Sequence, residues 1–320
     1  MVLPDALRAS YFKQKYRFAG RHSAVKLCHW LRRSLNTGGA EQCYKNRFFG
    51  VPSHRCLQMT PSLGRCTQRC VFCWRATPET LGVGWEQTQP VDAPDPPSKI
   101  VDGCLEEQRG LLSGFGGNPR VDPGMLEEAL NPVHAAISLE GEPTLYPLLG
   151  ELVEEFLGRG FKTVFIVSNG TRPGVLSGLR REPSQLYISA CAPDEETYRR
   201  TCRPMVGDGW ARLLETLEYL ESFSCPTVLR HTVLPKANMC NVEGYARLAE
   251  LGNPTYIEVK AAMSVGSARA RFGYEEMARF PEVMGFAERL AKESGYQLLD
   301  SHWPSSVVLL GRVEKPKRFY

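Results

Sequence analysis

TVFIVSNGTRPGVLSGLRREPSQLYISACAPDEETYRRT, residues 163–201, makes the same passage twice. Residues 163–167 are β-branched and aromatic and end at Ser168-Asn169-Gly170. Residues 186–190, Leu-Tyr-Ile-Ser-Ala, form a second, mostly apolar run and end at Cys191-Ala192-Pro193. Short apolar runs closed by turn residues predict buried strands. Residues 176–179 predict a poor helical turn between them, and 194–201 a short helix. Strand and helix alternating at this spacing predict βα units around a mainly parallel sheet.

The alternation continues in both directions. Toward the C-terminus the pattern predicts a strongly apolar-periodic helix at 210–220, a strand at 227–233, a helix at 242–251 and a strand at 256–259. A helix at 276–293 follows a loop rich in Gly, Ser and Arg, with short strands at 296–299 and 307–310. Toward the N-terminus a strand is expected at 133–139 and a helix at 146–157, closed near Gly158 and Gly160. Pro123 after Asp122 starts a helix at 123–130. Ile100, Cys104, Leu105, Leu111 and Leu112 share one face of a helix at 99–112, which makes Cys104 a core residue. Residues 114–120 are a turn, and the proline-rich stretch 78–98 reads as an extended surface loop. Counting from a short strand near Cys56, six βα units precede a C-terminal extension. The expected fold is α/β, an open six-stranded TIM-like partial barrel rather than a closed eight-stranded one.

In such a barrel chemistry gathers at the C-terminal ends of the strands. After the first strand stands GRCTQRCVFCWR, residues 64–75, with Cys66, Cys70 and Cys73 spaced C-x3-C-x2-C. Three cysteines so close can hold three corners of a [4Fe-4S] cluster and leave the fourth iron open to the amino and carboxylate groups of a small ligand. That is the pattern of radical enzymes that cleave S-adenosylmethionine (SAM). Two-cluster ferredoxins space their cysteines differently, and zinc sites more often show C-x2-C pairs or nearby histidines; free thiols are the bland alternative. At the next strand end, Glu140, Gly141, Glu142 and Pro143 offer a sharp turn whose backbone can meet a ligand's amino-acid end, or a helix-capping turn. Ser168 and Asn169 can bind ribose hydroxyls or the SAM carboxylate, and Ser189 closes another strand. Arg230 can pair with Glu142, with a ligand carboxylate, or in a structural ion pair, and His231 adds a hydrogen-bond donor.

Residues 1–58 read as irregular, basic and aromatic, with Cys28, Cys43 and Cys56 at C-x14-C-x12-C. Spacing this loose fits separate buried cysteines or a second cluster stapling the segment. His22, His29 and His54 lie near these cysteines; His134 is expected to be structural, and His302 either faces the site or caps a strand. Lys45, Lys99 and Lys260 are candidates for a Schiff base with an α-keto acid, Lys45 having the best context, two residues after Cys43. The chain has 320 residues, 42% hydrophobic and 23% charged, with a net charge of +4. That charge permits a nucleic-acid partner without demanding one. Eleven cysteines in so long a chain fit a reducing compartment and metal thiolates better than a disulfide scaffold. No stretch is apolar enough to span a membrane and the N-terminus lacks a secretory core, so a cytoplasmic location is expected.

The chain resembles the 4-demethylwyosine synthases, radical-SAM enzymes of wybutosine tRNA modification, in their short archaeal form. The resemblance runs through CYKNRFFG (43–50), CLQMTPSLGRCTQRCVFCWR (56–75), IVDGCLEEQRGLLSGFGGNPRV (100–121), ISLEGEPTLYP (137–147), FIVSNGTRP (165–173), APDEETYRRTCRP (192–204), YIEVKAAMSVGSARARF (256–272) and SSVVLLGR (305–312). It departs at Glu140, where a small polar residue is expected, at Cys191, where an acid is usual, and at the MARF of 277–280. The resemblance implies Cys66, Cys70 and Cys73 as ligands of the SAM cluster and Cys28, Cys43 and Cys56 as ligands of a second [4Fe-4S] cluster. It implies a carbon–carbon lyase that condenses N1-methylguanosine, next to the anticodon of tRNA(Phe), with two carbons of pyruvate. The carboxylate carbon is lost and the tricyclic base closes. An external electron donor such as ferredoxin or flavodoxin is implied, and the chain is expected to be a monomer. Lys45 is the expected Schiff-base residue, and the second cluster's open iron is a further expected holder of pyruvate; the two roles are not exclusive. Three segments are expected: 1–58 around the second cluster, 59–265 as the barrel, and 266–320 completing the sheet and available to tRNA; Arg269 and Arg271, like the basic, aromatic residues of the N-terminus, either track RNA phosphates or are solvated surface. Two rival readings remain: a radical-SAM enzyme acting on a small molecule or peptide, and a non-catalytic iron–sulfur protein.

Overall fold

The computed structural model of the chain describes residues 3–320. Its centre is a ten-stranded sheet whose six middle strands are all parallel and adjacent in chain order. The N-terminal part forms α1 (Asp5–Lys13), β1 (Arg17–Phe18), β2 (Ala24–Val25), α2 (His29–Asn36) and α3 (Tyr44–Phe49). The barrel follows: β3 (Cys56–Thr60), α4 (Pro97–Leu112), α5 (Pro123–Leu130), β4 (His134–Ile137), α6 (Leu149–Gly158), β5 (Thr163–Ser168), α7 (Pro173–Ser177) and β6 (Gln185–Ser189). It continues through α8 (Glu195–Thr201), α9 (Gly209–Glu218), β7 (Thr227–Val233), α10 (Val242–Gly252) and β8 (Tyr256–Ala261). The chain ends with α11 (Phe280–Ser294), β9 (Gln297–His302) and β10 (Val307–Gly311).

Strands β3 to β8 are the expected open six-stranded barrel. β2 extends one edge antiparallel on β3, and β10 the other on β8, with β9 outside it. Buried on both faces, these strands read as apolar runs. Their outward side chains pack under the helices in one large core that includes Ile137, Ile166, Ile188, Leu229, Ile257, Phe156 and Leu217. Cys104 lies in that core, as its helical spacing predicts. Among the described residues no helix is long and apolar enough to cross a membrane.

The N-terminal segment is not irregular. Helix α1 buries Leu7 and Tyr11. Helix α3 is short, but Tyr44, Phe48, Phe49 and Val51 form one cluster with Phe165, Tyr187, Val228 and Tyr256 from successive inner strand positions. That segment therefore fills the lumen the open barrel leaves. Tertiary burial, which a scan for long-range periodicity does not register, fixes this helix. Two further differences are at helix starts. The helix expected from 276 begins at Phe280, behind a 3-10 turn at Tyr274–Glu276, and the one expected from 146 begins at Leu149 behind a turn at Pro143–Leu145.

Candidate active site

Strand β3 delivers the chain to the cysteine loop at the open end of the barrel, and the turn after β4 locks onto that loop. Ser62 Oγ donates to the Glu142 carbonyl at 2.8 Å, and the Glu142 amide donates to the Arg65 carbonyl at 2.8 Å. Gly141, at φ +76°, lies so close that a Cβ would strike the carbonyls of Ser62 and Arg65. Only glycine meets both demands. Further on, the Arg69 amide donates to the carbonyls of Cys202 and Arg203, and the Val71 amide to that of Thr201. The cysteine loop is thus stitched to the turn that follows β4 and to the C-terminal end of α8.

A cavity of 190 Å³ opens between the cysteine loop and the strand ends, lined by Cys66, Cys70, Glu140, Gly141, Glu142, Ser168, Asn169, Ser189 and Arg230. Seven of the eight expected ligand-contacting residues therefore share one wall. The eighth, Pro143, is buried at the start of its 3-10 turn. Both carboxylates are buried and their acidity is weakened by that burial. Glu142 accepts from Ser168 Oγ at 2.7 Å, the Asn169 amide at 2.7 Å and Thr144 Oγ1 at 2.8 Å. Glu140 accepts from the Gly64 amide at 2.6 Å and Tyr11 Oη at 3.2 Å, and lies 3.7 Å from Arg75. These acids tie the walls together, so what they leave facing the cavity is chiefly backbone. Asn169 is latched as well, its Nδ2 donating to Thr67 Oγ1 at 2.8 Å and reaching Cys66 Sγ at 3.7 Å.

Arg75, which the sequence reading passed over, is the centre of charge here. Its Nε donates to Cys73 Sγ at 2.9 Å, and its Nη2 lies 4.0 Å from Cys66 Sγ. Burial pushes the Cys66 thiol up to about 12, and a hydrogen bond with Cys202, then burial, raises Cys70, so thiolates here need a compensating cation or metal. Among the described residues no three Cys, His, Asp or Glu side chains converge on one point as the ligands of a single ion would. A four-iron cluster asks for something else: separate sulfurs around a common cavity, with hydrogen bonds and positive charge to balance it. Cys66, Cys70 and Cys73, with Arg75 beside them, fit that requirement. A second cavity of 340 Å³ adjoins the first, sharing Cys70, Phe72, Trp74, Arg75, Arg230 and Thr232, and adding Cys73, Lys260 and Met263.

The second cysteine set is also brought together. Cys28 and Cys43 are the N-cap residues of α2 and α3, and Cys56 opens β3. Burial pushes Cys43 and Cys56 up to about 12; Cys43 also feels the charge of Cys28, and Cys56 that of Cys28 and Cys43. Helix-start amides aimed at sulfur favour thiolate ligation, and those of Trp30 and Leu31 reach Cys28.

Lys45 projects from α3 into the lumen, its Nζ 3.9 Å from the centre of the Phe165 ring and 4.6 Å from that of Tyr187. The nitrogen is buried without a hydrogen-bond partner. Burial, then the Arg230 charge, lowers its pKa to about 8. Lys260 is lowered to about 8 for the same reasons, donates to the Ser305 carbonyl and lines the larger cavity. Lys99 is a surface residue paired with Asp95 at 2.9 Å, away from either cavity.

Arg230 does not pair with Glu142. Its guanidinium meets Glu258 Oε2 at 2.8 Å and donates to Tyr44 Oη at 2.8 Å; Glu258 projects inward from the neighbouring strand in register with Arg230. His231 points away, its Nδ1 on the Ala190 carbonyl and its ring against Tyr245. His134 is buried with Nδ1 on Thr163 Oγ1, and His302 packs against Trp30. Arg271 is occupied by carbonyls of the cysteine loop and Arg269 bonds the Ser264 carbonyl. Glu258 was missed although its parity in 256–261, two residues from Lys260, marks it as inward-facing.

Residues 60–249 match the Radical SAM superfamily and residues 251–312 match Wyosine base formation. The S-adenosyl-L-methionine-dependent tRNA 4-demethylwyosine synthase of Pyrococcus horikoshii is 48% identical over 314 residues, 97% of this chain and 90% of that protein. Its counterpart in Methanocaldococcus jannaschii is 37% identical over 97% of this chain and 96% of its own. A solved structure of TYW1 with a lysine-pyruvate adduct bound superimposes with a TM-score of 0.88 at 35% identity, covering 99% of this chain and 100% of the other. The crystal structure of archaeal TYW1 gives a TM-score of 0.81 at 32% identity. With both segments matched in order and the cysteine loop at the mouth of a six-stranded open barrel, the chain belongs to the radical-SAM family of tRNA 4-demethylwyosine synthases.

Proposed function

We propose that this chain converts N1-methylguanosine beside the anticodon of tRNA(Phe) into 4-demethylwyosine, taking two carbons from pyruvate and releasing its carboxylate carbon. The observation that carries this reading is the near-full-length similarity to 4-demethylwyosine synthases, supported by two groups of cysteines and a buried lysine without a hydrogen-bond partner. Cys66, Cys70 and Cys73 hold one [4Fe-4S] cluster; Cys28, Cys43 and Cys56 hold a second. When bound, the first supplies the electron that releases an organic radical from SAM. The chain's own residues do the rest. Gly141 and the backbone beside Glu142 and Ser168 cradle the amino-acid end of SAM, and Arg75 balances charge at Cys66 and Cys73.

Lys45 Nζ attacks the pyruvate ketone, losing water to form an imine; its lowered pKa leaves a useful fraction of free amine near neutrality. The bound lysine-pyruvate adduct of the related TYW1 structure supports this role. The lumen that α3 seals keeps water from the imine. RNA presents its target base from a loop, where leaving the stack costs less than in a duplex. An external one-electron donor is required. The N-terminal residues 1–58 carry the second cluster and residues 266–320 complete the sheet.

The test combines anaerobically reconstituted protein, a reductant, SAM, pyruvate and tRNA bearing N1-methylguanosine, with nucleosides read by mass. The tricyclic nucleoside is expected, without label when pyruvate is labelled at C1; absence of product with intact clusters overturns the reading. About eight irons per chain are expected, and about half should go with Cys28, Cys43 and Cys56 all changed to Ala. Four in the intact protein would count against the second cluster.

A further inference from the structure

The cysteine loop is also gripped from the far end of the chain. Beyond β8 the backbone makes a 3-10 turn, Gly266–Ala270, followed by Arg271. Arg271 Nε donates to the Val71 carbonyl at 2.8 Å, and its Nη2 donates to the Cys73 carbonyl. The Ser267 amide donates to the Trp74 carbonyl at 2.9 Å. Gly266 stands at φ +56°, and a Cβ there would collide with the same Trp74 carbonyl. Below, Ala268 and Phe272 pack with Val71, Phe72 and Trp74. The amide side of Val71 is already held by Thr201, so this turn completes the grip by taking the carbonyls of residues 71, 73 and 74.

A planar guanidinium can satisfy two carbonyls two residues apart with fixed geometry; an ammonium can make one bond but not the fork. Outer partners of this kind orient metal ligands, and their loss typically weakens metal binding markedly. Arg271 lies in the segment matched by Wyosine base formation, while the cysteines lie in the superfamily segment. The grip therefore joins the two.

We propose that Arg271 is a positioning residue for the radical-generating cluster: its two-pronged bond to the carbonyls of Val71 and Cys73 fixes the backbone on which Cys70 and Cys73 present their sulfurs. This rests on reading Cys66, Cys70 and Cys73 as cluster ligands. It also takes Arg271 out of the set of residues free to meet RNA phosphates.

The test reconstitutes the full-length protein, Arg271→Ala and Arg271→Lys anaerobically, reduces each, and records the paramagnetic-resonance spectrum with and without SAM. The fraction of reduced cluster whose spectrum changes on adding SAM should fall roughly 10-fold in Arg271→Ala. It should stay low in Arg271→Lys, while the thermal midpoint of the chain and its tRNA affinity hold. A full SAM response in Arg271→Ala overturns the proposal. Full rescue by Lys overturns it in favour of charge alone, and loss of the response together with the fold overturns it in favour of general stability. Should Arg271→Ala be insoluble, Arg271→Lys decides by the same criteria. The readout does not depend on the second cluster. A parent protein with no SAM response would instead sink the reading of the first triplet, and this inference with it.

Discussion

At the scale of single residues, Lys45 shows how position creates reactivity. Its neighbours two places away in sequence suggested a role; its chemistry comes from the lumen. A buried ammonium with no hydrogen-bond acceptor costs free energy, and that cost appears as a pKa of about 8. Imine formation needs the free amine, so borohydride trapping of labelled pyruvate on Lys45 should accelerate as pH rises through about 8 and level off above it. A rate still climbing at pH 10, or label on Lys260, would defeat the assignment. The same burial predicts a trade of stability against function. A lysine whose pKa is lower folded than unfolded binds fewer protons when folded, so it weakens the fold below about 8 and the penalty fades as pH rises toward its ordinary value. Lys45→Met should therefore stabilise the iron-free chain at neutral pH by ~1–3 kcal/mol while abolishing the adduct. The advantage should shrink above pH 8. Denaturant midpoints across pH measure it, and a midpoint at or below the parent's at pH 7 would show that Lys45 is solvated.

Elements differ in how far the chain announces them. The six barrel strands are legible because each is an apolar run closed by a polar turn, and a two-face-buried strand needs little else. Helix α3 is not, since Tyr44, Phe48 and Phe49 become a helix only against Phe165 and Tyr187, more than a hundred positions away. The strand-end turn 138–144 is legible as a site but not as a brace: the buried bonds of Glu140 and Glu142 depend on Tyr11, Gly64 and Asn169, which adjacency does not reveal. Gly141 tests the brace. Gly141→Ala forces a side chain into the left-handed region and against two backbone carbonyls, and should lower stability by ~2–4 kcal/mol. Gly158→Ala, at the end of α6 with open space around it, should raise it by ~0.4–1 kcal/mol. Urea unfolding compares them. Equal midpoints would mean that the turn after β4 does not press on the cysteine loop.

The whole molecule must also hold an RNA, and charge sets how. The net charge of +4 is modest, so affinity has to come from local basic surface. With Arg271 committed to carbonyls, the N-terminal face is the stronger candidate. Lys13 and Lys15 are exposed there, Phe12 is 56% exposed, and Arg17 stacks on it at 4.6 Å. A phosphate track beside an exposed ring suits a single-stranded loop, which offers both charge and unstacked bases. Each phosphate contact adds a fixed increment to the dependence of affinity on salt, about 0.7 in the log–log slope for single strands. Lys13→Ala with Lys15→Ala should therefore weaken tRNA binding at low salt and flatten that slope by about 1.4. Phe12→Ala should weaken binding and leave the slope unchanged, because stacking releases no counterions. Binding isotherms for tRNA(Phe) over a range of salt concentrations separate the two effects. A slope unmoved by the double substitution would take the RNA off this face and leave the larger cavity, where Met263 is exposed, as the place where the loop enters.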